Sequence, residues 1–443
     1  MNLIPGFFRA FLIAQFVVLI PAFAQPLVEK KFRATEEAEA LLDLTASAPG
    51  TSWIEKGREA ATATIFVDGR YHQDLILFNG AHRFTYRVML GRVQPGDHTV
   101  RVELNRKQSA AQAATIEVRD ALVTTVDRTQ GEFQALAHAP ILYARPNTIG
   151  RFSDVPLLVY YETERAGELT TLRYTVIFSN EDGGTQTAAL MARWGRTTDI
   201  EWVIETTLDA AGKVVKSIYQ GVNHETKPFQ GKREDDHPLI TTASDNNNFA
   251  DDGQSEMRFA PRPIPFDLRK QSREAVMDRH PWIYRVMAEE MVREGKITDE
   301  RKLGAEIADL RRYLYIDTAS NQQGGTGLSF AVKLKGNAQW FTSDLGVNYN
   351  KIDRSGYTRT TVRLPASVAL GDIERIAVRC DLLNNPKSKE ETSKASASSC
   401  ELQSVNKVFL LDPDFQPASP LQFQVAPLQL RFGEMVELPV RKP

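Results

Sequence analysis

The sequence predicts a mainly β, multidomain protein: an N-terminal antiparallel β-sandwich followed by a larger β domain with a short helical insertion. In many stretches hydrophobic and polar residues alternate with period two, and turn residues separate these stretches about every ten residues. Helical periodicity is confined to 279–316. With 443 residues, the chain is also too long for one small core.

Residues 1–24 have the organisation of a secretory signal peptide. Arg9 precedes an apolar run that ends in Ala22-Phe23-Ala24 before Gln25. A positive charge, a short apolar core and a small-x-small end are the parts of such a signal. The apolar run is shorter than the roughly 20 residues needed to span a bilayer. We therefore expect cleavage after Ala24, export to the periplasm or the extracellular space, and no transmembrane segment in the mature chain.

The first predicted module covers 25–130. "RFTYRVML" and "HTVRVELN" alternate strictly, and the turn sequences Asp68-Gly69 and Asn79-Gly80 punctuate the region. These patterns predict an antiparallel β-sandwich of about 100 residues.

The central domain is predicted over 131–323. Four segments are expected to be strands, and a polar loop over 231–254 follows them. The four segments are "PLLVYYE", "LTTLRYTVIFSNE", "GGTQTAALMARWG" and "DIEWVIETTLD". Two amphipathic helices are then expected, over 280–295 and 298–314, from apolar residues at helical spacing.

A C-terminal β region is predicted over 324–443, either as a separate unit or as closing strands of the central domain. It holds both cysteines of the chain, Cys380 and Cys400, which flank a polar stretch. In an oxidising compartment this pair predicts a disulfide that joins two neighbouring strands across that stretch.

The candidate site lies in "MARWGRTTDIEWVIET", residues 191–206. On a strand, Asp199 and Glu201 share one face, with Ile200 and Trp202 on the core face. Two such carboxylates are suited to binding a cation or to acid–base catalysis of glycoside cleavage.

The predicted catalytic residues are Asp199, Glu201 and His224, and the predicted substrate-binding residues are Trp194, Arg196 and His237. The alternative is that Arg196 pairs with one of the acids, which would make the cluster structural. No cofactor is predicted. "TASDNNNFADDG" is rich in oxygen ligands but fails the spacing of a calcium loop, so the metal is left unassigned.

Three phrases resemble the family named after vacuolar protein sorting protein 62. They are "HAPILYARP" (138–146), "GRTTDIEW" (195–202) and "HPLITTASDNNNFADDG" (237–253), which occur in the order that this family shows. The phrases here have Glu-Trp in place of Trp-Glu, and asparagines where a histidine is expected. The resemblance implies a family grouping and no particular reaction.

These observations predict an exported protein that recognises a carbohydrate or a cell-envelope polymer, with hydrolytic chemistry at the acidic strand. The alternative is a non-catalytic interaction or scaffold protein of the cell envelope. Nucleic acid is not an expected partner, because a formal net charge of −2 provides no basic surplus.

Overall fold

The N-terminal unit is a sandwich of two antiparallel sheets. In this computed structural model, residues 26–181, 183–299, 304–366, 368–384, 398–423 and 427–441 are described, and the predicted signal peptide lies outside them. The sheet orders are β1-β6-β3-β4 and β5-β2-β7, and Leu42, Ile65 and Val102 from the two sheets lie in one core. The strands are β1 (Val28–Ala34), β2 (Ala38–Ser47), β3 (Thr62–Val67), β4 (Arg70–Ile76), β5 (Phe84–Val93), β6 (Gly96–Leu104) and β7 (Glu117–Asp127).

The central unit packs a six-stranded sheet against a smaller one. The sheet orders are β13-β12-β11-β10-β9-β18 and β14-β15-β8-β17, with β16 paired to β15. Leu142 and Ile240 of the small sheet share a core with Tyr174 and Ile204 of the large sheet. The elements are α1 (Phe133–Ala137), β8 (Ile141–Tyr143), β9 (Pro156–Ala166), β10 (Leu169–Phe178), α2 (Thr187–Trp194), β11 (Ile200–Leu208), β12 (Val214–Gln220), β13 (Thr226–Pro228), β14 (Arg233–Glu234), β15 (His237–Thr242), β16 (Phe249–Ala250), β17 (Arg258–Phe259), β18 (Ile264–Pro265), α3 (Ala275–Arg279) and α4 (Trp282–Arg293).

The C-terminal unit is a second sandwich. Its sheets have the orders β22-β19-β24-β26 and β21-β20-β23-β27, and β25 pairs with β28. The strands are β19 (Tyr313–Gln323), β20 (Thr326–Leu334), β21 (Trp340–Thr342), β22 (Gly356–Arg363), β23 (Ile373–Leu382), β24 (Ser399–Phe409), β25 (Gln422–Phe423), β26 (Leu428–Arg431), β27 (Met435–Leu438) and β28 (Val440–Arg441). The mainly β, multidomain class is thus confirmed.

Two predicted elements are wrong. "GGTQTAALMARWG" contains α2, because its Ala- and Leu-rich run favours a helix and Gly195 ends that helix in the left-handed conformation. The predicted helix over 298–314 is absent from its described part. Residues 304–309 are not helical, Leu310–Arg312 is one 3-10 turn, and Tyr313 begins β19.

The boundary predicted at 323/324 falls inside the C-terminal sandwich. Gly324 and Gly325, both at positive φ, connect β19 in one sheet to β20 in the other. The glycine pair is therefore a turn between the two sheets of this sandwich.

The predicted disulfide between Cys380 and Cys400 is confirmed, but its place in the sandwich differs from the expectation. Cys380 lies on β23 and Cys400 on β24, and these strands belong to opposite sheets. The bridge therefore joins the two sheets across the core, where both cysteines are fully buried. Residues 385–397 of the intervening polar stretch lie outside the described residues.

The three units share buried surface. One hydrophobic cluster includes Leu42 of the N-terminal sandwich, Tyr284 of α4, and Tyr315 and Phe409 of the C-terminal sandwich. Within the described ranges, no helix is both long and apolar enough to cross a membrane.

Candidate functional site

A β-bulge near the start of β11 decides which face carries the acids. Opposite β10, Trp202 pairs with Thr175 and Ile204 with Tyr174, so Val203 is an extra residue. Val203 and Ile204 are both fully buried. The bulge leaves Trp202 on the other face, where it is half-buried beneath the guanidinium of Arg173 at 5.9 Å.

The prediction that Trp202 fills the core beneath two solvent-facing acids is therefore wrong. Strict alternation would place Ile204 and Trp202 together, and the extra residue separates them. The acids lie on the buried side: the Asp199 side chain is 2% exposed and that of Glu201 is 10% exposed.

Asp199 is enclosed by polar partners. Arg196 Nη1 lies 3.7 Å from Asp199 Oδ1, and Asn247 Nδ2 donates to Asp199 Oδ2 at 3.2 Å. Burial raises the pKa of the Asp199 carboxyl to about 7, and the charge of Glu201 adds to this effect. The structural pairing with Arg196 that the sequence left open is present.

Two further buried carboxyl groups, those of Asp154 and Glu181, lie near Asp199. The Asn247 amide also donates to Asp154 Oδ1 at 3.0 Å, and Arg145 binds Asp154 and Asp245. Burial, followed by the charge of Asp199, raises the pKa of Glu181 to about 7. We call Arg145, Asp154, Glu181, Asp199 and Asn247 the buried network.

Arg196 and Trp194 belong to the packing around this network. Arg196 is 2% exposed, and its Nε donates to Glu274 Oε1 at 3.2 Å. Its guanidinium also lies 5.5 Å from the Trp194 ring, which stacks with Arg193 at 4.8 Å as well. The burial of Arg196 gives no support to the substrate contact that the sequence predicted.

Solvent reaches the site at His224, beside the buried Glu201. The His224 side chain is 53% exposed, and its Nδ1 lies 3.8 Å from Glu201 Oε2. Gln220 donates through one amide nitrogen to Glu201 and also lies 2.6 Å from His224 Nδ1. Asn246 and Asn248 approach the two ring nitrogens of His224 at 2.9 and 3.2 Å. We call Glu201, Gln220, His224, Asn246 and Asn248 the amide rim.

Left-handed backbone is concentrated at this site. Four of the nine described non-glycine residues with positive φ lie here: Asp154, Asn223, His224 and Asn247, with φ between 50° and 62°. Asn, Asp and His adopt this region more readily than other residues, yet it remains uncommon. The backbone N–H of Asn223 donates to Asn248 Oδ1 at 3.1 Å, which links the two loops that carry the rim. Such concentrations of strain mark functional sites.

His237 lies away from the rim. Its Nε2 is 3.1 Å from Glu39 Oε2, and its Nδ1 is 3.0 Å from the Ala139 carbonyl oxygen. Its side chain is 1% exposed. His237 therefore begins a strand and is fixed by the N-terminal sandwich, and its position gives no support to the predicted substrate-binding role.

Sequence reasoning missed the amides. Gln220 ends β12, and asparagines 246–248 were considered only as calcium ligands or as a departure from a family pattern. Their run of three and the Asn223-His224 pair were available signals, because such residues favour left-handed turns. No described group of three or more His, Cys, Asp or Glu residues has the arrangement of a metal site.

Comparisons with known proteins show only weak structural similarities to this chain. No family model and no curated protein matches the chain. The structure of NLPPya in complex with mannosamine aligns with 30% of this chain and 71% of its own, at 11% identity and a TM-score of 0.23. The structure of Necrosis and Ethylene inducing Protein 2 from the causal agent of cocoa's Witches Broom disease aligns with 31% of this chain and 74% of its own, at 10% identity and a TM-score of 0.23. The structure of a GH2 beta-galacturonidase from Eisenbergiella tayi bound to glycerol aligns with 48% of this chain and 31% of its own, at 12% identity and a TM-score of 0.14.

Proposed function

We propose that this protein is exported and recognises a carbohydrate or a carbohydrate-containing envelope polymer at the amide rim. One observation carries the proposal: a half-exposed imidazole is held by three side-chain amides beside a carboxylate. Sugar hydroxyls both donate and accept hydrogen bonds, and amides, carboxylates and imidazoles together offer both functions.

The buried network supports the rim without meeting the ligand. Asn247 joins Asp154 to Asp199, and its backbone neighbours Asn246 and Asn248 carry the amides that contact His224. A residue fixed on both sides by buried hydrogen bonds positions its neighbours before a ligand arrives. Such preorganisation lowers the entropic cost of binding.

Binding without hydrolysis fits this geometry. Glycoside cleavage by two carboxyl groups requires both to reach the scissile bond. The Asp199 side chain is enclosed by Arg196 and Asn247, so the Asp199–Glu201 pair does not meet that requirement. Glu201 is retained as a ligand contact.

Export is part of the proposal. The disulfide between Cys380 and Cys400 supports it, because such bridges persist in oxidising compartments. The signal-like pattern over 1–24 is the second support.

We also propose the grouping with the family named after vacuolar protein sorting protein 62. The three phrases of the resemblance lie together: 141–143 pairs in parallel with 239–241, and Asn247 of the third phrase binds Asp199 of the second. Their proximity supports a common structural unit.

A non-catalytic protein-interaction role is the second candidate. The pairing of Arg196 with Asp199 favours it, because this pairing makes the most buried acid of the strand structural.

A glycan array probed with the mature protein tests the main proposal. We expect at least one glycan to bind, and His224→Ala to weaken binding about tenfold through the loss of rim hydrogen bonds. His82→Ala, at an exposed histidine of the N-terminal sandwich, is the matched control and should bind as the parent does. An array with no bound glycan would refute carbohydrate recognition and favour the interaction role.

A further inference from the structure

A large open groove lies on the face of the six-stranded sheet that carries Trp202. Its volume is about 1010 Å³, and strands β9, β10 and β11 and the segment 265–279 line it. This is at the upper end of the range for small-ligand sites, roughly 300–1,000 Å³. The β11 bulge directs Glu205 away from the core and into this groove.

A fixed ion pair lies at the centre of the floor. Arg173 Nε and Nη2 both donate to Glu205 Oε2, at 2.9 and 2.6 Å. Trp202 supports the Arg173 guanidinium from below. Glu162 is opposite Arg173 on β9, and burial raises the pKa of its carboxyl. The floor therefore presents planar donors and acceptors whose directions are set by the sheet.

The segment 265–279 forms the wall of the groove, and it also combines guanidinium groups with an aromatic ring and a carboxylate. Arg279 stacks on the Phe266 ring at 4.6 Å, and Arg269 forms several hydrogen bonds with Asp267. An aromatic ring beside oriented polar groups is a common composition for ligand sites.

The charges of the groove indicate the class of ligand. Four acidic and four basic side chains line it, and Arg173 and Arg269 already bind carboxylates of the protein. An anion would compete with those carboxylates, and a cation with the guanidinium groups. Each guanidinium has five N–H groups, and the bonds of Arg173 to Glu205 use two of them. Both bonds end on Oε2, so Oε1 of Glu205 is left to accept from a hydroxyl.

We propose that this groove, the outer groove, binds a neutral oligosaccharide, with the Arg173–Glu205 pair as its central contact. Hydroxyls of such a ligand accept from Arg173 and donate to Glu205 while the ion pair stays intact. The groove is distinct from the amide rim, because Glu205 and Glu201 lie on opposite faces of β11. The inference does not depend on the function proposed for the rim.

Isothermal titration with defined probes tests this proposal. The neutral probes are cellohexaose, xylohexaose, mannohexaose and chitohexaose, and the charged probes are polygalacturonate and hexalysine. The variants are Arg173→Met, Glu205→Gln and Glu162→Gln. Arg375→Met is the matched control, because Arg375 forms a similar exposed pair with Glu437 on the C-terminal sandwich.

We expect at least one neutral hexasaccharide to bind with a Kd below about 1 mM. Arg173→Met and Glu205→Gln should each weaken that binding about tenfold or more, and Glu162→Gln less. Arg375→Met should leave it unchanged. Melting curves of the three groove variants should match the parent, because exposed ion pairs contribute little to stability.

Three results would overturn the outer groove as a neutral-glycan site. The first is no neutral hexasaccharide binding at millimolar concentration. The second is tighter binding of either charged probe. The third is binding that His224→Ala removes and the groove variants leave intact, which would assign the ligand to the amide rim and retain the function proposed there.

Discussion

Asn247 is the residue that connects the buried carboxylates to the amide rim. Its side chain nitrogen lies within hydrogen-bonding distance of Asp154, Asp199 and the Asn180 carbonyl oxygen. A single amide thus joins Asp154 to Asp199, and burial raises the pKa of Asp199 to about 7. The charge of this network should therefore depend on pH near neutrality.

Asp199→Asn tests that dependence. The folded-state pKa of Asp199 is raised to about 7, against roughly 3.9 for an unfolded aspartate. The native state therefore binds more protons between these values, and stability falls as pH rises from about 4 to 7. Asparagine resembles the protonated acid and does not titrate. The free energy of unfolding of Asp199→Asn, relative to the parent, should therefore increase by about 1–3 kcal/mol between pH 5 and pH 8.

Urea unfolding of parent and variant at both pH values measures this difference. Asp97→Asn, at a side chain that is 80% exposed, is the control and should show no comparable change. A free-energy difference for Asp199→Asn that is equal at pH 5 and pH 8 would show that Asp199 is ionised throughout.

At the scale of elements, the sequence predicted strands well where one face is buried along the whole strand. The N-terminal alternation of "RFTYRVML" corresponds to β5, and "DIEWVIETTLD" to β11. The bulge at Val203 was not predictable from the residues of β11 alone. Whether a strand contains an extra residue depends on how it pairs with its neighbour, here β10. The convergence of the amide rim was not predictable either, because its residues come together from three separate segments of the chain.

Helix α2 illustrates how tertiary contacts complete a short element. Two β22 threonines donate to its final carbonyl oxygens, Thr360 to Ala192 and Thr361 to Met191. Gly195 ends the helix at φ 63°, and its N–H donates to the Met191 carbonyl at 2.9 Å. A Cβ at Gly195 would lie 2.9 Å from Thr361 Cγ2 and 3.0 Å from Arg359 Cδ.

Gly195→Ala should therefore destabilise the protein by about 2–4 kcal/mol, from left-handed strain and crowding together. Gly336→Ala separates these effects, because Gly336 has φ 69° and open space around its Cβ position; it should cost only about 1 kcal/mol. Chemical denaturation gives both values. An equal decrease in the free energy of unfolding for both variants would show that β22 moves to accommodate the added methyl group and that crowding contributes nothing.

At the scale of the whole molecule, histidines lie buried where the N-terminal sandwich meets the central unit. His72 of β4 is 6% exposed, and the Arg258 side chain donates to its carbonyl oxygen. Burial, then the charge of Arg258, lowers the pKa of His72 to about 4. Burial likewise lowers the pKa of His138 to about 4. Both histidines are therefore neutral in the folded protein at neutral pH.

His72→Asn should reduce the sensitivity of the protein to acid. A histidine with a lowered folded-state pKa gives stability that is complete above about 6.5 and is lost as pH falls toward 4. Removing His72 should eliminate up to about 3 kcal/mol of that loss. Thermal unfolding between pH 7 and pH 4 measures it, with His82→Asn as an exposed control. Parallel pH profiles for parent and His72→Asn would refute the assignment.

The proposed function divides the site into a rim that meets the ligand and a buried network that supports it. Calorimetric titration of the tightest glycan from the array into Glu201→Gln and Asp199→Asn tests this division most directly. We predict that Glu201→Gln weakens binding about tenfold, while Asp199→Asn stays within about twofold of the parent. A folded Asp199→Asn variant that no longer binds, beside a Glu201→Gln variant with parental affinity, would contradict it.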